Sequence, residues 1–169
     1  MHRHLRLPLL LLFALLLNGC KVNYSFTGAD IPAGAKTLSV EVFEARAPLS
    51  TPRTAQVFTE ALRDLLQAQT PLNLVREQGD IQYAGGIVGY DVQPVAIQAN
   101  ETAALNRLTI TVSVTYVNSL DPKKSNTFTV SRFADYESAQ DLIQVEETLV
   151  RTVSDQLVQD IFDRTLGSW

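Results

Sequence analysis

Cys20 is the only cysteine in a chain of 169 residues, and the residues around it suit one kind of chemistry. It closes the stretch Leu17-Asn18-Gly19-Cys20. An aliphatic residue, two smaller ones and a cysteine have the form of a bacterial lipobox. Small side chains let a signal peptidase seat extended backbone in a narrow groove, and the thiol then becomes the acyl carrier. Asn18 is bulkier than the usual occupant. Ahead of it, His2, Arg3, His4 and Arg6 make a basic start, and Leu7 to Leu17 is almost wholly apolar. That run of about eleven residues suits a secretion signal and is well short of the ~20 needed to span a bilayer. The competing reading is a buried N-terminal helix with a chance cysteine at its end, and the sole cysteine falling at the cleavage position argues against it. Two or three acyl chains on Cys20, at roughly 0.8 kcal/mol per buried methylene, would hold the chain stably on a membrane. Lys21-Val22-Asn23 follows, with no aspartate after the cysteine and no acidic cluster. The expected location is the outer membrane, lipid-anchored and facing the periplasm.

The rest of the inventory excludes more than it offers. Both histidines, His2 and His4, lie in the segment to be removed, and so does the single methionine. The mature chain has no histidine and no free thiol. Ser-His-Asp and Cys-His catalysis are therefore closed to it, as are zinc sites built from His or Cys. Glu146-Glu147 and the pair Asp160 and Asp163 are the remaining candidates for carboxylate chemistry. Helical spacing turns them mostly away from the apolar ridge, whereas raised carboxylate pKa values need burial. Gly85-Gly86 lacks the following lysine and helix start of a phosphate loop. We expect no catalytic residue, no metal and no cofactor. Without Arg3 and Arg6, 12 basic residues face 18 acidic ones, a net charge of −6, which disfavours nucleic acid as a partner.

The elements that must position any site follow from periodicity. Residues 21–35 read as a tether with Gly28, Pro32 and Gly34. Lys36 to Phe43 alternates as a half-buried strand. Thr51-Pro52 suits an N-cap and a proline at the first helical position, and Ala55, Phe58, Leu62 and Leu65 then line one face of a helix of about seventeen residues. Leu72 to Val75 starts a strand. Ile81, Tyr83, Ile87, Tyr90 and Val92 make a strand interrupted by Gly85, Gly86 and Gly89, where bends or close backbone approach are expected. Leu108, Ile110, Val112, Val114 and Tyr116 alternate against Thr109, Thr111, Ser113 and Thr115 in the clearest strand of all. Phe128, Val130 and Phe133 suggest a last strand. Ser138-Ala139-Gln140-Asp141 resembles a capping box for a second helix running to about Leu166, with Leu142, Val145, Leu149, Val153, Leu157 and Ile161 along an oblique ridge. The expected fold class is α+β: a two-layer sandwich with one mostly antiparallel or mixed sheet of about four strands and two helices packed on one face. The expected organisation is a signal peptide over 1–19, a lipidated tether over 20–35 and a single domain over 36–169.

The mature chain resembles the LptE-like lipoproteins of the lipopolysaccharide-assembly pathway. The matching stretches are Tyr24–Ala29, Phe58–Leu62, Gly89-Tyr90, Pro94–Gln98 with Asn100–Ile110, and Gln156–Phe162. The resemblance implies a partner, the large LptD-type outer-membrane β-barrel, which such proteins help to assemble and plug. It also implies a part in loosening lipopolysaccharide during insertion. Within it, the loop Pro94–Arg107 is the expected barrel contact, through Pro94, Val95, Ile97, Gln98, Asn100, Glu101, Thr102, Leu105 and Arg107. Its only charges are Glu101 and Arg107, so it could enter a barrel lumen at low desolvation cost. The plainer reading is a solvated hairpin tip. Arg107, Lys123, Lys124 and Arg132 are candidates for contact with lipopolysaccharide phosphates or the membrane surface, against the plainer reading of a solvated loop with two lysines. Trp169 could sit at an interface or pack on the sheet. The alternative function is a stand-alone lipoprotein that binds a lipid or amphiphile, which would need a sizeable apolar cavity between helices and sheet.

Overall fold

A computed structural model describes residues 29–95 and 105–167. The elements in chain order are β1 (Thr37–Val40), β2 (Glu44–Ala45), α1 (Pro52–Gln69), β3 (Asn73–Val75), β4 (Ile81–Val95), β5 (Leu105–Asn118), β6 (Asn126–Glu137) and α2 (Leu142–Thr165), with a one-turn 3-10 helix at Pro122–Lys124. The strands form one sheet in the order β3-β1-β4-β5-β6, and β2 also pairs with β4. The expected α+β architecture of two helices on an open mixed sheet is therefore what the chain adopts. The sheet has six strands where about four were expected. β2 and β3, at two and three residues, are too short to carry a readable alternation.

Parallel pairing is confined to one side. β1 runs parallel to both β3 and β4, and α1 supplies the crossover that parallel neighbours require. β4, β5 and β6 form an antiparallel meander. The run from Lys36 to Phe43 is not one strand, since β1 stops at Val40 and Val42 is 65% exposed. Phe43 instead turns into the core, edge-on to Phe58 with ring centroids 4.9 Å apart, and its N–H donates to Thr59 Oγ1 at 3.0 Å. Space for that ring comes from Gly85, where a Cβ would lie 2.8 Å from Phe43 and 2.0 Å from the Ser113 carbonyl oxygen. Its φ of +156° also falls in the range that suits glycine.

β4 resolves an irregularity in its own pattern. Ile81, Tyr83 and Ile87 are inward odd residues, and Tyr90 is inward and even. A register shift between Ile87 and Gly89 exchanges the two faces, as a bulge must when side chains alternate with period two. On β5 the alternation is unbroken, with Leu108, Ile110, Val112, Val114 and Tyr116 all buried. The opposite face carries hydroxyls, and Thr111 and Ser131 are hydrogen-bonded across β5 and β6 at 3.0 Å.

α1 begins as expected, with Thr51 Oγ1 accepting from the Thr54 N–H at 3.1 Å and Pro52 in the first turn. α2 begins later than the expected capping box. Asp141 is its N-cap and accepts from the Ile143 N–H at 3.1 Å, while Ser138 stands outside the helix. The buried stripe of α2 is wider than the ridge, because Val150, Ser154 and Val158 are buried together with Leu149, Val153, Leu157 and Ile161. Val150 and Val158 line the hollows shared with α1, so α2 packs on the sheet and on α1 at once.

Ahead of β1 the chain is fastened to the end of α2: Ala29 bridges to Gly167, and the Asp30 N–H donates to the Leu166 carbonyl at 2.6 Å. These bonds cap the C-terminal end of α2, whose last carbonyls lack helical partners. Phe133 does not continue the inward alternation of Phe128 and Val130. It lies three residues after Val130, pairs with Thr109 on the hydroxyl face and is 46% exposed.

Candidate functional site

The strand directions give the molecule two ends. β4 ends and β5 begins at one of them, with Val95 opposite Leu105, Pro94 opposite Asn106 and Gln93 opposite Arg107. Both helices also start there, at Pro52 and Leu142. The expected barrel-contact loop is thus the tip of a long hairpin at the helix-start end. Pro94 is exposed, and Val95, Leu105 and Arg107 are half-buried at its base. Ile97, Gln98, Asn100, Glu101 and Thr102 lie outside the described residues, as do Cys20 and Trp169. The same end carries Ile143, 81% exposed at the start of α2, and Leu49 exposed in the turn before α1.

The four cations proposed for lipopolysaccharide contact are not brought together. Arg107 lies on the hydroxyl face near the hairpin tip, where it donates from Nε and Nη2 to the two Asp135 carboxylate oxygens at 2.7 and 2.9 Å. Its guanidinium also stacks 3.6 Å from the centroid of Phe133. The guanidinium holds the Asp135 carboxyl below its usual range, and the carboxylate in turn raises Arg107. Arg132 lies on the opposite face, across from Ile110, and makes its own fork to Asp160 of α2 at 2.6 and 2.7 Å. An inward arginine at the midpoint of edge strand β6 ties the strand to the helix above it. Lys123 and Lys124 are exposed in the 3-10 turn at the other end of β5. At about 3.3 Å per residue, roughly 30 Å of strand separates them from Arg107.

The carboxylates weighed for chemistry are engaged in structural contacts. Glu146 accepts from the Tyr90 hydroxyl at 2.5 Å, and burial pushes that hydroxyl well above its ordinary pKa. Glu147 accepts from Arg151 at 2.9 Å and from Arg53 of α1 at 3.0 Å, which lowers its pKa and links the helix starts. Asp160 holds Arg132, and Asp163 accepts from Gln159 Nε2 at 2.8 Å. Among the described residues no three acids or metal-ligating side chains gather into a cluster.

Sequence reasoning passed over Asp80 and Arg164. Asp80 Oδ2 accepts from the Lys36 N–H at 2.9 Å, the Thr37 N–H at 3.0 Å and the Thr37 hydroxyl at 2.9 Å, which lowers its pKa and pins the start of β1 beside β4. Asp80 lies between β3 and β4, and nothing local reveals a partner 43 residues away. Arg164 lies over the Phe128 ring at 4.5 Å. The hollow between α1 and α2, about 780 Å³, is an open groove flanked by charged side chains. Between helices and sheet the core is closed by Leu38, Leu62, Ile110 and Leu157, each at most 1% exposed.

Residues 35–165 match the model of the family LptE, described as lipopolysaccharide-assembly. No curated protein matches the chain. Among solved structures, a Xanthomonas campestris protein is 16% identical, with 86% of this chain and 93% of that one covered at a TM-score of 0.50. A minor lipoprotein from Acinetobacter baumannii is 22% identical, covering 79% of this chain and 97% of its own, with a TM-score of 0.44. The rare lipoprotein B of Shewanella oneidensis is 14% identical over 75% of this chain and 90% of its own, with a TM-score of 0.45.

Proposed function

The chain belongs to the LptE lipopolysaccharide-assembly family, and from that premise we propose that it is an outer-membrane lipoprotein supporting an LptD-type β-barrel. In this reading residues 1–19 are removed, Cys20 is acylated, and the domain faces the periplasm. It binds the barrel, helps it assemble and plugs it during lipopolysaccharide transport and insertion. It works by binding, with no catalytic step of its own. The observation that carries the proposal is the family match, which spans nearly all of the two-layer domain, from before β1 to the last residue of α2.

The hairpin suits this role physically. β4 and β5, at 15 and 14 residues, form a long antiparallel ribbon that runs out to Val95 and Leu105 at the helix-start end. Arg107 is already neutralised by Asp135, so its entry into a lumen would not bury an unpaired charge. The alternative of a stand-alone amphiphile carrier has less support, because the core between helices and sheet is filled by side chains.

A pull-down of tagged protein from native membranes in mild detergent tests the role. A stoichiometric large β-barrel that survives salt washing is the expected result. Recovery of the lipidated, folded protein alone would sink the barrel role.

A further inference from the structure

The end of the molecule opposite the hairpin has a different character. β4 starts there, β5 ends there, and α2 runs into it. A hollow of about 230 Å³ opens among Asp30, Tyr116, Lys124, Asn126, Phe128 and Arg164. Lys124 comes from the one-turn helix between β5 and β6, and Arg164 from the last turn of α2. Among the described residues neither cation belongs to an ion pair, in contrast to Arg107 and Arg132. The Phe128 ring supports the Arg164 guanidinium from one side and leaves its N–H groups available to an acceptor. Asp121 is turned to other use, accepting from the Lys123 backbone N–H at 3.3 Å.

The chain enters the fold at the same place. Ala29 and Asp30 are fastened to Gly167 and Leu166, beside Arg164. Cys20 lies nine positions before Ala29, which limits their distance to roughly 30 Å even when fully extended. An acylated Cys20 therefore keeps this end within reach of the lipid surface.

We infer that Lys124 and Arg164 form a cradle for the headgroup phosphate of an anionic phospholipid in the leaflet that holds the anchor. Two cations from separate elements, an amide from Asn126 and an aromatic floor can hold a phosphate while the acyl chains stay in the membrane. Basic residues near an anionic leaflet gain attraction within about a Debye length, which at physiological salt is ~8 Å. The contact would fix the tilt of the domain on the membrane, which a single acylated residue does not set. This inference rests on the lipid-anchored reading above.

Native mass spectrometry of the detergent-purified, lipidated protein tests it, with dioleoyl-phosphatidylglycerol titrated against dioleoylglycerol of matched chains. The expected result is one phosphatidylglycerol adduct per protein and little diacylglycerol adduct. Lys124→Glu and Arg164→Glu should each weaken the adduct roughly ten-fold, consistent with the worth of a basic residue at an anionic surface. Arg53→Glu, at the opposite end, should leave it unchanged. Thermal melts show whether each variant is folded, and Lys124→Gln and Arg164→Gln replace a reversal that is not. Equal adducts with both lipids, no loss in the Lys124 and Arg164 variants, or the same loss with Arg53→Glu would overturn the cradle. Displacement by inorganic phosphate would also overturn it, by marking a free-anion site. The mass of the acylated N-terminus is read in the same spectra. A missing anchor is thus distinguished from a missing cradle.

Discussion

At the scale of single residues, the same side-chain type takes opposite roles according to its partner. Arg107 and Arg132 are both forked to aspartates, one on each face of the sheet, while Arg164 has only an aromatic ring beneath it. Asp80 accepts three hydrogen bonds at one oxygen, two from backbone N–H groups and one from the Thr37 hydroxyl. Those bonds lower its folded-state pKa below the unfolded value, so they stabilise the fold fully above about pH 4 and progressively less as pH falls through the folded value. Urea midpoints at pH 7 and pH 3 check this. The loss on acidification should be smaller in Asp80→Asn than in the natural chain, and equal losses would remove Asp80 from the account. Asp80 could not be assigned this role from sequence, because Lys36 and Thr37 meet it only once β1 lies against β4.

At the scale of elements, α1 and β5 were legible and α2 was legible in part. α1 carries its start in Thr51-Pro52 and its apolar face in residues three and four apart, all local signals. β5 alternates apolar and hydroxyl residues without a break. The apolar ridge of α2 runs from Leu142 to Ile161, yet the helix also buries Val150, Ser154 and Val158 against α1. Two packing surfaces widen the stripe and blur its period. Leu157, fully buried, should respond as a core residue, so Leu157→Ala is expected to cost about 3 kcal/mol in urea unfolding. Leu142→Ala, in the half-exposed first turn, should cost under about 1 kcal/mol. Similar costs at the two positions would contradict the packing described. β6 was harder to read than β5, because an inward Arg132 and an outward Phe133 invert the usual pattern on adjacent residues. Each inversion has its partner in another element, Asp160 for the first and Arg107 for the second.

At the scale of the whole molecule, the ends are what matter. The hairpin tip and the helix starts share one end, while the entering chain, Lys124 and Arg164 share the other. In the proposed reading the lipid holds one end and the hairpin at the other end is left to meet a partner. Arg107→Ala should change unfolding stability by less than about 1 kcal/mol, since the ion pair it loses is partly exposed on the outer face of the sheet. Recovery of the barrel in the pull-down should nevertheless fall several-fold. Undiminished recovery would move the barrel contact away from the base of the hairpin.

The amino-acid order alone determined what depends on neighbours in the chain. It carries the lipobox at Cys20, the cap and face of α1, the alternation of β5, the two-layer α+β class and the stretches that mark the family. Tertiary structure alone decided which distant residues share a place. The bulge after Ile87 reverses the faces of β4, the meander separates Arg107 from Lys124 by the length of the sheet, and the return of α2 brings Arg164 beside Lys124 across 40 positions of sequence. Periodicity encodes which way a side chain points within its element. Only strand pairing and helix packing decide what it then meets.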